Sequence, residues 1–190
     1  MTPILSWRDQ HLTHQSFAEQ GVFAYPTEAV YGLGCDPWDC VAVSNLLAIK
    51  QRSWEKGLIL VAAHIDQFDF LIKNLTPKMR ATLNKTWPGP ITWLVPHQNL
   101  LPIWLTGKHP TIALRVSAHP VIQALCSHLN QPLISTSANL SGMPAAKHRL
   151  QVQKYFGKQL TGIVSGQLGK LKNPTEIQDL MTRAYIRKTH

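Results

Sequence analysis

Short apolar runs alternate along this chain with longer stretches of helical period. Val22-Phe23-Ala24-Tyr25 is apolar throughout, which predicts a buried strand. Residues 41–50 then carry Val41, Leu46, Leu47 and Ile49 at helical spacing, behind an Asp39 suited to capping the first free N–H groups. Leu58-Ile59-Leu60-Val61-Ala62 is too short for a helix and rich in branched residues, so it reads as a central strand. Helices are expected over 66–73 and 77–85, the second with Thr76 as cap and Pro77 where its missing N–H costs nothing. Strands follow at 91–95 and 111–116, a helix at 120–129, a strand at 133–135, a helix at 148–156, and strands at 162–164 and 184–187. Strands interleaved with helices define the α/β class with a mixed sheet.

A length of 190 residues with 44% apolar content suits one domain, placed at 7–190, with a substantial core. No run of about 18 apolar residues occurs, and the first ten residues lack the pattern of a signal peptide, so a soluble, cytoplasmic protein is expected. Three cysteines without C-x-x-C spacing and nine scattered histidines argue against a disulfide framework and against a protein-held metal. The formal charge of +9 changes the picture more. It favours polyanionic ligands, nucleotides and RNA among them, although no Lys/Arg block of five or more concentrates it.

Three polar constellations stand out from these apolar surroundings: Tyr25-Pro26-Thr27-Glu28-Ala29-Val30-Tyr31-Gly32-Leu33-Gly34, Lys50-Gln51-Arg52 with Lys56, and Ser135-Thr136-Ser137-Ala138-Asn139 with Ser141-Gly142. None is a phosphate loop of the Walker type. The Gly32-Leu33-Gly34 start has Pro37 where a dinucleotide fingerprint needs its third glycine, so the glycines read as a tight turn at positive φ. Lys50 and Arg52 either favour the negative end of a helix or, with Lys56, converge on a triphosphate. The Ser/Thr/Asn cluster either caps turns or binds a ligand where a strand ends. Arg115, a charge inside the apolar strand 111–116, is either a structural ion pair or a two-point clamp on a carboxylate. Trp87-Pro88-Gly89-Pro90 reads as a rigid turn.

Taken in order, Tyr25-Pro26-Thr27-Glu28, Tyr31-Gly32-Leu33-Gly34, Lys50-x-Arg52, Trp87-Pro88-Gly89-Pro90, Ala113-x-Arg115-Val116, Ser137-Ala138-Asn139-x-Ser141-Gly142 and Asn173-Pro174-Thr175-Glu176-Ile177 resemble the YrdC-like family in its short bacterial form. The resemblance implies a twisted, open sheet with flanking helices and a basic concave face. It also implies that L-threonine, bicarbonate or CO2 and ATP with Mg2+ are joined into threonylcarbamoyl-AMP with release of pyrophosphate. The product would feed modification of adenosine 37 in tRNAs that read codons starting with A, through transfer machinery of the TsaD, TsaB and TsaE type. By the family pattern Lys50 and Arg52 act on the reacting phosphates. Ser137 and Asn139 line the nucleotide and carbamoyl site, Lys147 and Arg187 reach toward the nucleotide, and Thr27, Arg115, Ser137 and Thr175 toward threonine.

The residue types agree with that chemistry. A carbamate oxygen is already anionic, so its attack on the α-phosphorus needs alignment and charge neutralisation more than a strong base. Longer relatives carry a histidine after the strand-opening segment, where this chain has Lys56-Gly57-Leu58-Ile59-Leu60-Val61, and they carry a further C-terminal domain. A noncatalytic tRNA- or rRNA-binding module is the competing reading, with basic residues spread along one face. A carbamoyl-transfer domain like those of hydrogenase-maturation proteins is another, but those occur in much longer chains.

Overall fold

The computed structural model describes residues 2–10, 14, 17 and 19–188. Ten strands form one sheet among them: β1 (Ile4–Leu5), β2 (Phe23–Pro26), β3 (Tyr31–Gly34), β4 (Ile59–Ala62), β5 (Ile91–Pro96), β6 (Thr111–Val116), β7 (Leu133–Ser137), β8 (Gly162–Val164), β9 (Glu176–Asp179) and β10 (Tyr185–Arg187). Their spatial order is β1-β8-β2-β3-β7-β4-β6-β5-β9-β10, with parallel and antiparallel neighbours mixed and unpaired edges at β1 and β10. The helices are α1 (Cys40–Lys50), α2 (Asp69–Ile72), α3 (Pro77–Thr86), α4 (Ile103–Thr106), α5 (Pro120–Leu129) and α6 (Arg149–Phe156). This is the open, mixed α/β sheet that the sequence leads one to expect.

Period-two alternation decides which residues meet which layer. Leu60, Ala62, Leu114, Val116, Ile134 and Leu33 face the larger core, shared with Ala42, Val43 and Leu46 of α1 and Leu83 of α3. On the opposite face, Phe23, Tyr25, Val61 and Leu133 pack under Val121, Ile122, Leu125 and Cys126 of α5. Helix α5 covers only part of that second face. Beyond it lies a row across four strands, Ser135, Ile59, Ala113 and Leu94, which pair in register and form the floor of a cavity.

Helix starts follow the local chemistry. Asp39 Oδ1 accepts from Val41 N at 2.8 Å and Ala42 N at 3.2 Å, and Thr76 Oγ1 accepts from Met79 N at 3.3 Å ahead of Pro77. The buried stripe of α1 is Ala42, Val43, Leu46 and Lys50, while Val41 is exposed, so the apolar face is turned from the one that Val41 and Ile49 suggest. The helix expected over 66–73 is a 3-10 turn, Ile65–Phe68, that runs into the single turn of α2. Strands β1, β3 and β9 and the short helix α4 had no separate signature in the apolar pattern.

Gly32 and Gly34 are not a tight turn. They lie inside β3, outside the positive-φ glycines, and their role is close approach. A Cβ on Gly34 would run into the Ile134 carbonyl and lie 2.8 Å from the Tyr25 ring, and one on Gly32 would sit 3.1 Å from Thr27 Cγ2. Tyr25, fully buried, donates its hydroxyl to Ile134 O at 2.8 Å through the space these glycines leave. Burial keeps that phenol protonated by raising its pKa strongly. Cys35 and Cys126 are buried thiols pushed up the same way, whereas Cys40 is exposed.

Candidate active site

The cavity on the second face encloses about 580 Å³. Of the residues named from sequence, Thr27, Arg52, Arg115, Ser137, Asn139, Thr175 and Arg187 line it, drawn from the turn after β2, the segment after α1, β6, the end of β7 and the turn beyond it, the approach to β9, and β10. Lys50 and Lys147 are not in its wall. Lys147 is exposed, with its backbone N–H donated to Gln151 Oε1 at 3.0 Å. Lys50 is buried, and its Nζ donates to the carbonyls of Ser137 at 2.5 Å and Asn139 at 2.9 Å.

Arg115 makes the structural ion pair that a charge inside an apolar strand calls for. It is 6% exposed, and its Nη2 lies 3.2 Å from Glu28 Oε2, an ion pair inside the protein. Nη1 donates to Thr175 Oγ1 at 2.6 Å, and that hydroxyl lies 3.3 Å from Thr92 Oγ1. The Nε–H has no acceptor among the described residues although it is buried. A guanidinium carries five N–H donors, so the ion pair and the bond to Thr175 do not use all of them on this cavity-lining residue.

Glu28 is the residue that the sequence argument passed over. It is the sole acid among the described lining residues, which also include Arg52, Lys56, Arg115 and Arg187. Its Oε1 accepts from Ser117 Oγ at 2.6 Å, and Ser117 Oγ accepts in turn from His119 N at 3.0 Å. The signal was available: Glu28 is one of only ten acids and stands in an apolar stretch. His119 lies behind this group with Nε2 3.1 Å from Gln167 O, and burial lowers its pKa and favours the neutral ring.

A second group of polar residues forms where β7 ends. Ser137 Oγ donates to Asn139 Oδ1 at 2.7 Å, and Asn139 Nδ2 donates to Met143 O at 2.8 Å. The backbone holds this turn against β3, with Ala138 N donating to Tyr31 O at 2.8 Å, Ala146 N to Ala138 O at 2.9 Å and Tyr31 N to Ala146 O at 2.8 Å. Thr27 closes the turn between β2 and β3 by donating Oγ1 to Val30 O at 2.7 Å.

Arg52 points its Nη2 at Gly57 O, 3.0 Å away, and its buried Nε lacks a partner among the described residues. Arg187 donates twice to Thr175 O, at 3.1 and 2.6 Å. Both guanidiniums are pushed below their ordinary pKa by burial, Arg187 also by the neighbouring Arg115. Four cations around one carboxylate leave an excess of positive charge in a partly desolvated space, where an anionic ligand gains more than it would in water. The Lys56 and Arg52 side suits phosphates, and Arg115 with Thr175 suits a carboxylate.

Fold and site together define an α/β protein whose open sheet carries a positively charged crevice beside its helix-covered half. The Sua5/YciO/YrdC family model, described as "Telomere recombination", matches residues 15–188. The chain belongs to that family. It is 56% identical over 184 residues to a Pseudomonas fluorescens protein named threonylcarbamoyl-AMP synthase, covering 97% of this chain and 98% of that one. A Pseudomonas paraeruginosa protein of the same name is 57% identical over 169 residues, covering 89% and 91%. Among solved structures, P. abyssi Sua5 in complex with L-threonine superposes with a TM-score of 0.84 at 26% identity, covering 94% of this chain and 54% of that one. E. coli YciO, at 24% identity and a TM-score of 0.81 over 99% of this chain and 98% of its own, shares the fold. The chain thus spans about half of the Sua5 protein and nearly all of its bacterial relatives.

Proposed function

We propose that this chain is an enzyme that makes threonylcarbamoyl-AMP and pyrophosphate from L-threonine, bicarbonate or CO2, and ATP. The observation that carries the reading is the meeting, in one cavity, of Arg115 and Thr175 with Arg52, Ser137 and Asn139. The near end-to-end likeness to proteins of that name supports it. The threonine carboxylate takes the free donors of Arg115 beside Thr175, with Thr27 and Ser137 near its other groups. ATP enters as its Mg2+ complex, the metal travelling with the phosphates as part of the substrate. The adenylate lies against Ser137 and Asn139, Arg52 and Arg187 offset phosphate charge, and the exposed Lys147 reaches the nucleotide only if its side chain swings inward.

Within this arrangement the carbamate formed on the threonine nitrogen attacks the α-phosphorus with its own negative oxygen. Pyrophosphate leaves toward Arg52 and Lys56. The protein's share is alignment and charge, since the attacking group is already ionised. The adenylate then serves threonylcarbamoylation of adenosine 37 in the cytoplasm, by a separate transferase of the TsaD type with TsaB and TsaE. The net charge of +9 gives this chain only a weak, salt-sensitive attraction to tRNA.

The test is to incubate the protein with Mg-ATP, L-threonine and bicarbonate, and to follow pyrophosphate release and product mass. Release that depends on both threonine and bicarbonate, with threonylcarbamoyl-AMP in the spectrum, is the expected result. Equal cleavage of ATP without threonine overturns the assignment. With unmodified tRNA present and no partner protein, adenosine 37 is expected to stay unlabelled.

A further inference from the structure

Lys50 stands in the family pattern as a cation for the nucleotide, yet its ammonium is directed elsewhere. Helix α1 buries Val43, Leu46 and Lys50, spaced by three and four residues, so the stripe that packs its apolar side chains also carries the lysine inward. The side chain ends beneath the turn that follows β7. Two of its three N–H donors go to the carbonyls of Ser137 and Asn139, and Lys50 itself is 5% exposed. Ser137 and Asn139, whose carbonyls it holds, are among the residues that line the cavity.

We infer that Lys50 is a positioning residue, a buried clamp that fixes the peptide units at Ser137 and Asn139 and so sets the nucleotide-facing surface of that turn without touching the nucleotide. A peptide unit is planar, so pinning its carbonyl also fixes the direction of the N–H that follows it. Two pinned carbonyls two residues apart therefore orient both the 137–138 and the 139–140 peptides. They also hold Ser137 Oγ and Asn139 Oδ1 in the 2.7 Å hydrogen bond between them. The third link is on the far side, where Ala138 N is tied to Tyr31 O. The turn is thereby held from α1 below and β3 beside it. Lysine suits this task because a rotatable ammonium directs separate donors at two carbonyls, whereas a guanidinium presents a flat fork.

This inference rests on the reading of Ser137 and Asn139 as nucleotide contacts, and the experiment separates the two. Amide hydrogen exchange of ligand-free wild type, Lys50→Met and Lys50→Gln is compared over residues 138–146, with the rest of the molecule as internal control. Faster exchange confined to that turn by at least about tenfold in Lys50→Met, and less in Lys50→Gln, whose amide NH2 can still donate, is expected. Unchanged exchange there overturns the clamp. If Lys50→Met does not fold, Lys50→Gln alone carries the same comparison.

Calorimetry then measures AMP and ATP binding to the same variants. A clamp weakens both nucleotides by the same factor, within about twofold, because the β- and γ-phosphates do not meet Lys50. A loss for ATP about tenfold greater than for AMP assigns Lys50 to the phosphates and overturns the inference. Failure of wild type to bind either nucleotide refutes the functional reading, while the exchange result still judges the clamp.

Discussion

Replacing Arg115 separates its two roles, because the ion pair and the free donors use different parts of one guanidinium. In Arg115→Gln the Glu28 carboxylate stays in place, 12% exposed at its side chain, without the cation 3.2 Å away. Breaking a buried pair from one side costs about 3–5 kcal/mol, since the stranded charge keeps its desolvation penalty. Pairing that change with Glu28→Gln removes both charges and is expected to recover most of the loss, to within about 1–2 kcal/mol of wild type by the same reasoning. Arg115→Lys keeps the charge beside Glu28 but loses the bond to Thr175 Oγ1 and the planar pair of donors for a carboxylate. One charge-assisted hydrogen bond is worth roughly 1.5–3 kcal/mol, so threonine affinity should fall about 10- to 150-fold. ATP affinity should stay within about threefold, because the proposed arrangement puts the phosphates toward Arg52 and Lys56. Urea denaturation measures the first comparison and calorimetry with each ligand the second. The reasoning is refuted if the double variant is no more stable than Arg115→Gln. It is equally refuted if Arg115→Lys loses both ligands to the same extent.

The remaining predictions concern charge and close packing. Burial, with help from Arg52, lowers the Lys50 pKa from 10.5 to about 8, so between these values the unfolded chain binds the proton that the folded one has released. Stability therefore gains with pH over that window, and the wild-type-minus-Lys50→Met difference in urea titrations should rise from pH 8 to 10.5; a flat difference removes the argument. Arg52→Ala should lower turnover at least about tenfold, equal to roughly 1.4 kcal/mol of transition-state stabilisation, and unchanged kinetics in a folded variant would return Arg52 to a helix-end role. Gly34→Ala should destabilise the fold by about 1–3 kcal/mol or more, because its Cβ meets the fixed Ile134 carbonyl. A stability equal to wild type in denaturant melts would show that β3 yields there.

Much of the fold was legible in the chain itself, because it depends on local chemistry and short periods. Asp39 and Thr76 mark helix starts through their own side chains, and the apolar runs of β2, β4, β6 and the first part of β7 need no partner to be seen. Thr27, Arg52, Arg115, Ser137 and Asn139 were also legible, as polar groups in apolar settings, Thr175 and Arg187 came only with the family resemblance, and all seven line one cavity. Tertiary structure alone decided what these residues do to one another. Gly32-Leu33-Gly34 looks like a turn until Tyr25 and Ile134 press against it from strands far apart in sequence. Glu28 gains its meaning only when β6 brings Arg115 and Ser117 to it across 87 and 89 positions. Lys50 looks like a surface cation until helix rotation carries it under the carbonyls of a turn 87 residues away. Sequence periodicity specifies which face a residue takes, but a charge or a missing side chain acquires its role from the neighbour it meets, and long-range strand pairing chooses that neighbour.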